Sequence, residues 1–233
     1  MIRDRPTVVG TPKDRIVAAA AGLLAQGGRE AVSTRAVSAA AGVQAPTIYR
    51  LFGDKRGLLD AVATHGFMAY LATKADLAPR ADPIEDFRAG WDLHVGFGLA
   101  NPALYALIHG EPRPGASPSA VIAVDVIARK VRRIAEAGRL GVGEERAVQL
   151  VFAVGSGTTL ALIGLPEDRR DPALSDLARE AVIAAITTET PAMATPGPAG
   201  AAIALRAVLP EVTALTDQER GLLREWLDRI VNS

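Results

Sequence analysis

Residues 33–59 read STRAVSAAAGVQAPTIYRLFGDKRGLL and hold the side chains best suited to recognising a nucleic acid. The amide of Gln44 can pair bidentately with adenine, and the small apolar groups of Ala45 and Pro46 can meet a thymine methyl. Arg35 and Arg50 could reach base edges or phosphates. A second set of residues, Asp92, His94, His109 and Glu111, could be assembled into a metal or acid–base site. Its pattern is poor. The chain has three histidines, none spaced i, i+4 from another, and neither a GxSxG nor a phosphate loop occurs. No catalytic residue, metal or cofactor is therefore expected.

Two short helices must carry the first set. Ser33 suits an N-cap for a helix through Arg35, Val37 and Ala40. Gly42 falls where that helix must stop, since glycine accepts a positive φ without steric cost. Val43 can plug the angle to the next helix, and Pro46 fits its first turn. Ile48, Leu51 and Phe52 then form an apolar face, leaving Gln44, Ala45, Thr47, Tyr49 and Arg50 to face outward. Such a pair is a helix-turn-helix, whose second helix can enter a major groove.

The run GVQAPTIYRLFGDKRGLL resembles the signature of the TetR family of bacterial transcriptional regulators, through Thr47, Tyr49, Phe52 and Lys55. With the helix expected over 13–26, the resemblance covers about the first 60 residues. It implies an all-α fold: a three-helix DNA-binding domain followed by a larger helical domain for ligand binding and dimerisation. It further implies that Gln44, Ala45, Pro46 and Thr47 lie nearest the bases, and that Thr34, Tyr49 and Lys55 hold phosphates. Two positions depart from common usage in the family, where Ser often stands at the place of Gln44 and His at that of Leu51.

Alanine dominates the apolar set and aromatics are only 4%, which favours helices in close approach. There is no cysteine, so disulfides and thiolate metal sites are excluded. Net charge is zero, but residues 1–78 hold ten Lys/Arg against six Asp/Glu, and the remainder sixteen against twenty. The basic excess lies with the helix-turn-helix, which suits phosphate binding, though a swing of this size is common. The opening MIRDRPTVVG lacks the apolar core of a signal peptide, so a cytoplasmic location is expected.

Three regions follow: an arm with Arg3 and Arg5 plus the DNA-binding helices over 1–55, a connecting helix over 56–78, and a helical domain over 79–233. Further helices are expected over 84–99, 101–110, 118–137, 144–165, 173–187, 201–209 and 216–231. Loops are expected at 111–115 and 188–200. In the helix over 118–137, Val121, Ile122, Val124, Ile127, Val131 and Ile134 should face inward, with Arg129, Lys130, Arg132 and Arg133 outward. In 173–187 the inward set is Leu174, Leu177, Ala181, Val182 and Ile186. The stretch 144–165 is apolar all round and should be buried on all sides; its length raises a membrane span as the alternative, which its Gly-Ser-Gly-Thr-Thr centre disfavours.

Trp91, His94, Phe97, Tyr105, His109 and Phe152 supply aromatic surface with a few polar handles, suited to a small apolar or amphipathic effector. The expected function is a ligand-responsive regulator, by resemblance a repressor, on a near-palindromic operator in double-stranded DNA. One helix-turn-helix offers few contacts, so a homodimer is expected, through the helices near 144–165 and 173–187. No membrane partner is expected. The competing readings are a helical protein-interaction module without DNA binding and an all-α enzyme using the His94/His109 region.

Overall fold

The computed structural model describes residues 10–72, 79–110, 117–188 and 197–232. The arm with Arg3 and Arg5, Glu111, the loop over 111–115, most of the 188–200 loop and the last residues of the connecting helix lie outside the described residues. Among those described, the chain forms α1 (Pro12–Ala31), α2 (Thr34–Ala41), α3 (Ala45–Phe52), α4 (Lys55–Ala72), α5 (Pro83–Ala100), α6 (Pro102–His109), α7 (Pro118–Glu136), α8 (Glu144–Ile163), α9 (Ala173–Ile186), α10 (Pro198–Val208) and α11 (Asp217–Val231). No strand occurs among these residues. The all-α expectation is met.

The chain divides into two compact units. The first comprises Met1–Leu77 and Ala100–Val121, the second Ala78–Leu99 and Ile122–Ser233. In the first unit, α1 opens on a reciprocal cap. The Asp14 N–H donates to the Thr11 hydroxyl at 3.2 Å, and the Thr11 N–H donates to the Asp14 carboxylate at 2.9 Å. Two orphan donors at the helix start are thereby satisfied. Hydrogen bonds from the Thr11 side chain, then from its backbone, hold the Asp14 carboxyl below its usual range. Helical geometry breaks at Gly27 and Gly28, where the sequence predicts the end, and one further turn runs to Ala31. Ile16, Ala20, Val37, Ile48, Leu58 and Val62 form a closed core from α1 to α4. Leu104 and Leu107 of α6 pack against it. The helix that the sequence reading assigns to the second domain is thus part of the first unit, packed on α1 and α4.

The second unit has its core among α5, α7, α8, α9 and α10, with Phe87, Trp91, Val131, Ile134, Val151, Leu162, Ile186 and Ile203 buried together. Its charged side chains correct one expectation. Lys130 and Arg133 do not simply face solvent: the Lys130 ammonium donates to Asp86 at 2.9 Å and Arg133 pairs with it at 2.7 Å. Burial pushes the Asp86 carboxyl up, but the Lys130 hydrogen bond leads the interactions that hold it below its usual range. Arg88 of α5 grips Glu180 of α9 with two nitrogens, at 3.0 and 2.7 Å. That hydrogen bond lowers the Glu180 carboxyl to about 2.

Helical phases also differ from the expected ones. Val121 and Val124 of α7 are exposed, while Ala123, Val131, Ile134 and Ala135 are buried. On α9, Val182, Ile183 and Ile186 face the core, leaving Leu174 exposed and Leu177 at 70% exposure. On α11, where spacing predicts an apolar face of Leu222, Leu223, Trp226, Leu227 and Ile230, only Leu227 is buried, and Leu222, Trp226 and Ile230 are exposed. Each of these helices has apolar residues on more than one face. Spacing alone cannot say which face meets the core. Helix α8 is long and apolar enough to cross a membrane by composition. It contributes Ala147, Val151, Gly155, Thr159 and Leu162 to the unit's interior. Gln149, Ala153, Gly157 and Ala161 are exposed, so it is not buried on all sides within one chain.

Candidate nucleic-acid interface

The turn between α2 and α3 is built by local chemistry. The Ala36 N–H donates to the Ser33 hydroxyl at 3.1 Å, capping α2 as its sequence requires. Gly42 ends α2 at φ 65°, ψ 40°, in the left-handed region. The Val43 N–H donates back to the Ser38 carbonyl at 3.0 Å, and this closes the helix end. Val43 then packs on the first unit's core.

Helix α3 begins at Gln44, which holds the N-cap position in extended geometry (φ −84°, ψ 145°) without using its side chain as a cap. The backbone compensates in part, with the Thr47 N–H donating to the Gln44 carbonyl at 2.9 Å. The Gln44 amide is exposed. This is the consequence of having Gln rather than Ser there: the side chain is too long for a tight cap and reaches outward.

Burial separates the two faces of α3. Ile48 is wholly buried, and Leu51 and Phe52 are half-buried against the core. Gln44, Pro46, Tyr49 and Arg50 are exposed, as are Arg35 on α2 and Lys55 on α4. Thr34, Ala45 and Thr47 are half-buried. None of the nine residues expected to touch DNA is buried.

The corner from α3 into α4 rests on a residue the sequence reading passes over. Gly53 (φ 79°) donates its N–H to the Tyr49 carbonyl at 2.8 Å. Asp54 caps α4 by accepting from the Gly57 N–H at 2.7 Å. A Cβ on Gly57 would overlap the carbonyl oxygen of Phe52. Gly57 therefore lets α4 start directly beneath the end of α3, and so sets where Lys55 stands relative to Tyr49. The sequence signal for it was a glycine in the first turn of a helix, where nothing else needs one.

The expected effector residues divide between the units. Trp91, His94, Phe97 and Phe152 belong to the second unit, Tyr105 and His109 to the first. Trp91 is buried and its indole N–H donates to the Ser175 hydroxyl at 3.1 Å. Its ring lies against Gly155 of α8, where a Cβ would meet Trp91 at 3.5 Å and His94 at 3.9 Å. Burial lowers His94 to about 4, so its ring is neutral at ordinary pH. Phe97 is buried and Phe152 half-buried. Tyr105 is wholly buried, with its ring 4.4 Å from that of His109, one turn along α6. Among the described residues no three of His, Cys, Asp or Glu gather as metal ligands would.

Residues 16–62, which hold α2, α3 and the start of α4, match the family model for bacterial regulatory proteins of the tetR family. Over residues 16–62 the chain carries the N-terminal segment of the tetR family. Solved structures extend the likeness of fold beyond that segment. A protein of unknown function from Rhodococcus sp. RHA1 is 28% identical, with a TM-score of 0.60 over 79% of this chain and 100% of its own. A TetR-family transcriptional regulator from Haemophilus influenzae RD is 20% identical, with a TM-score of 0.54 over 76% and 97%. The Q116A form of TetR from Acinetobacter baumannii AYE, in complex with minocycline, is 23% identical, with a TM-score of 0.55 over 74% and 94%. No curated protein matches the chain by sequence. The matched segment lies within the basic first third of the sequence and holds the helices whose outward faces carry Gln44, Tyr49 and Lys55.

Proposed function

We propose that this regulator is a ligand-responsive repressor that binds a near-palindromic operator in double-stranded DNA as a homodimer and is released by a small apolar or amphipathic molecule. The observation that carries the DNA part is the two-sidedness of α3: Ile48 wholly buried, Gln44, Pro46, Tyr49 and Arg50 outward. In this reading Gln44, Ala45, Pro46 and Thr47 meet base edges, Thr34, Tyr49 and Lys55 hold phosphates, and Arg35 and Arg50 add to either set. A cytoplasmic location goes with that role.

The homodimer is assigned to α8 and α9. Their exposed faces include small and apolar residues, Ala153, Gly157 and Ala161 on one and Leu174, Leu177 and Ala181 on the other, which suits close helix packing across a twofold axis. The effector is assigned to the second unit's Trp91, His94, Phe97 and Phe152. Burial and a neutral His94 favour an uncharged or weakly polar surface at the ligand. A protein of similar fold holds minocycline, which supports an effector of that general size. The chain path offers the coupling. Helix α6, with Tyr105 and His109, lies between α5 and α7 in sequence and packs on α1 and α4. A ligand that shifts α5 or α7 pulls on α6, and so biases the helices that carry the DNA-facing residues.

The test is a fluorescence-polarisation titration with DNA from upstream of the gene. Wild type should bind in a salt-dependent way. Lys55→Ala should weaken binding and reduce the salt slope by about 1 per protomer, while Tyr49→Ala weakens it on all sequences. No binding to any fragment, or binding indifferent to both substitutions, would remove the regulator reading. Repression is tested by deleting the gene, which should raise a reporter driven by the bound fragment.

A further inference from the structure

The first unit contains a cleft that the DNA reading uses only at Lys55. It is lined by Arg29 from the end of α1, Lys55, Arg56, Leu59 and Asp60 from the first turns of α4, and Leu107 and Ile108 from the last turn of α6. We propose that this cleft binds a small amphipathic anion, an organic phosphate or carboxylate with a short apolar tail.

The argument rests on what the lining combines. The cleft volume is about 430 Å³. That lies within the range of roughly 300–1,000 Å³ typical of small-molecule sites. Three cations stand against one carboxylate, an excess of positive charge suited to a phosphate or carboxylate head. The apolar part of the lining is Leu59 and Ile108, both buried, and Leu107, half-buried. A lining that combines cations with apolar side chains matches a ligand with a charged head and a hydrocarbon body. A DNA backbone needs the cations and has no use for the apolar side chains, because sugars and phosphates present little apolar surface to a recess. The geometry therefore favours a small amphipath over a duplex.

The placement gives occupancy a consequence. The cleft brings together three elements of one unit, α1, α4 and α6, and its lining includes Lys55, which the reading above gives to a phosphate. A bound anion would neutralise that charge and hold α6 against α4. Occupancy itself does not depend on DNA binding and is measured without DNA.

The experiment is a calorimetric titration of the full chain with hexyl phosphate, with inorganic phosphate and hexanol as comparisons. One saturable site per chain is expected, with hexyl phosphate at least tenfold tighter than inorganic phosphate and hexanol undetected. Arg29→Gln, at an exposed position, should lower the affinity about tenfold, and Leu107→Gln should do the same by removing part of the apolar lining. The proposal is overturned if hexyl phosphate does not saturate, if inorganic phosphate binds equally well, or if Arg29→Gln leaves the affinity unchanged. Loss of DNA affinity in Arg29→Gln without hexyl phosphate binding would assign the cleft to the DNA backbone instead. Because the titration contains no DNA, its failure leaves the regulator reading intact, and failure of DNA binding leaves the cleft intact.

Discussion

His94 carries the clearest consequence at the scale of one residue. Burial lowers it from 6.5 to about 4, so the folded chain resists a proton that the unfolded chain accepts. Stability contributed by this residue is therefore complete above pH 6.5, falls as the pH drops from there towards 4, and levels off below that. The full loss corresponds to roughly 3 kcal/mol. His94→Leu should remove this part of the pH dependence, measured as the difference between the two proteins' urea-unfolding free energies at pH 7 and pH 4.5. A difference that stays constant across that range would mean that His94 is not desolvated. The sequence showed a histidine in an apolar stripe of α5. It could not show that Gly155 lies beside it, because Gly155 is on α8 and only the docking of α5 on α8 brings the two together.

At the scale of elements, the α3–α4 corner decides whether outward side chains form one surface. Gly57→Ala would push a methyl group into the Phe52 carbonyl and should cost about 2 kcal/mol, in the range of overpacking, with weakened DNA binding as the corner opens. Gly22→Ala is the matched comparison. It lies in α1 with nothing within 4 Å of the added carbon, so it should be neutral or stabilising by up to about 1 kcal/mol. Equal thermal melting of the two variants would contradict the role given to Gly57. Much of this region was legible from the sequence, since Ser33, Gly42 and Asp54 act through neighbours three or four residues away. Gly57 was not, because its constraint comes from a carbonyl on another helix.

For the whole molecule, α8 and α9 present exposed small and apolar residues. Leu177 is among the most exposed large apolar residues of the chain. Leu177→Glu should convert a two-chain species into single chains in light scattering at micromolar concentration. It should also lower operator affinity by at least tenfold, because paired half-sites act together. An unchanged mass would place the dimer elsewhere. The sequence by itself determined the helical class, the helix-turn-helix and its outward residues, because caps, glycine stops and 3.6-residue periodicity act within a few residues of chain. It did not determine the phases of α7, α9 and α11, the membership of α6, or the turning of Lys130 and Arg133 onto Asp86. Those were decided by tertiary structure. A helix with two apolar faces buries whichever one meets a partner, and a long cation takes the nearest buried carboxylate, which residues far apart in the chain provide.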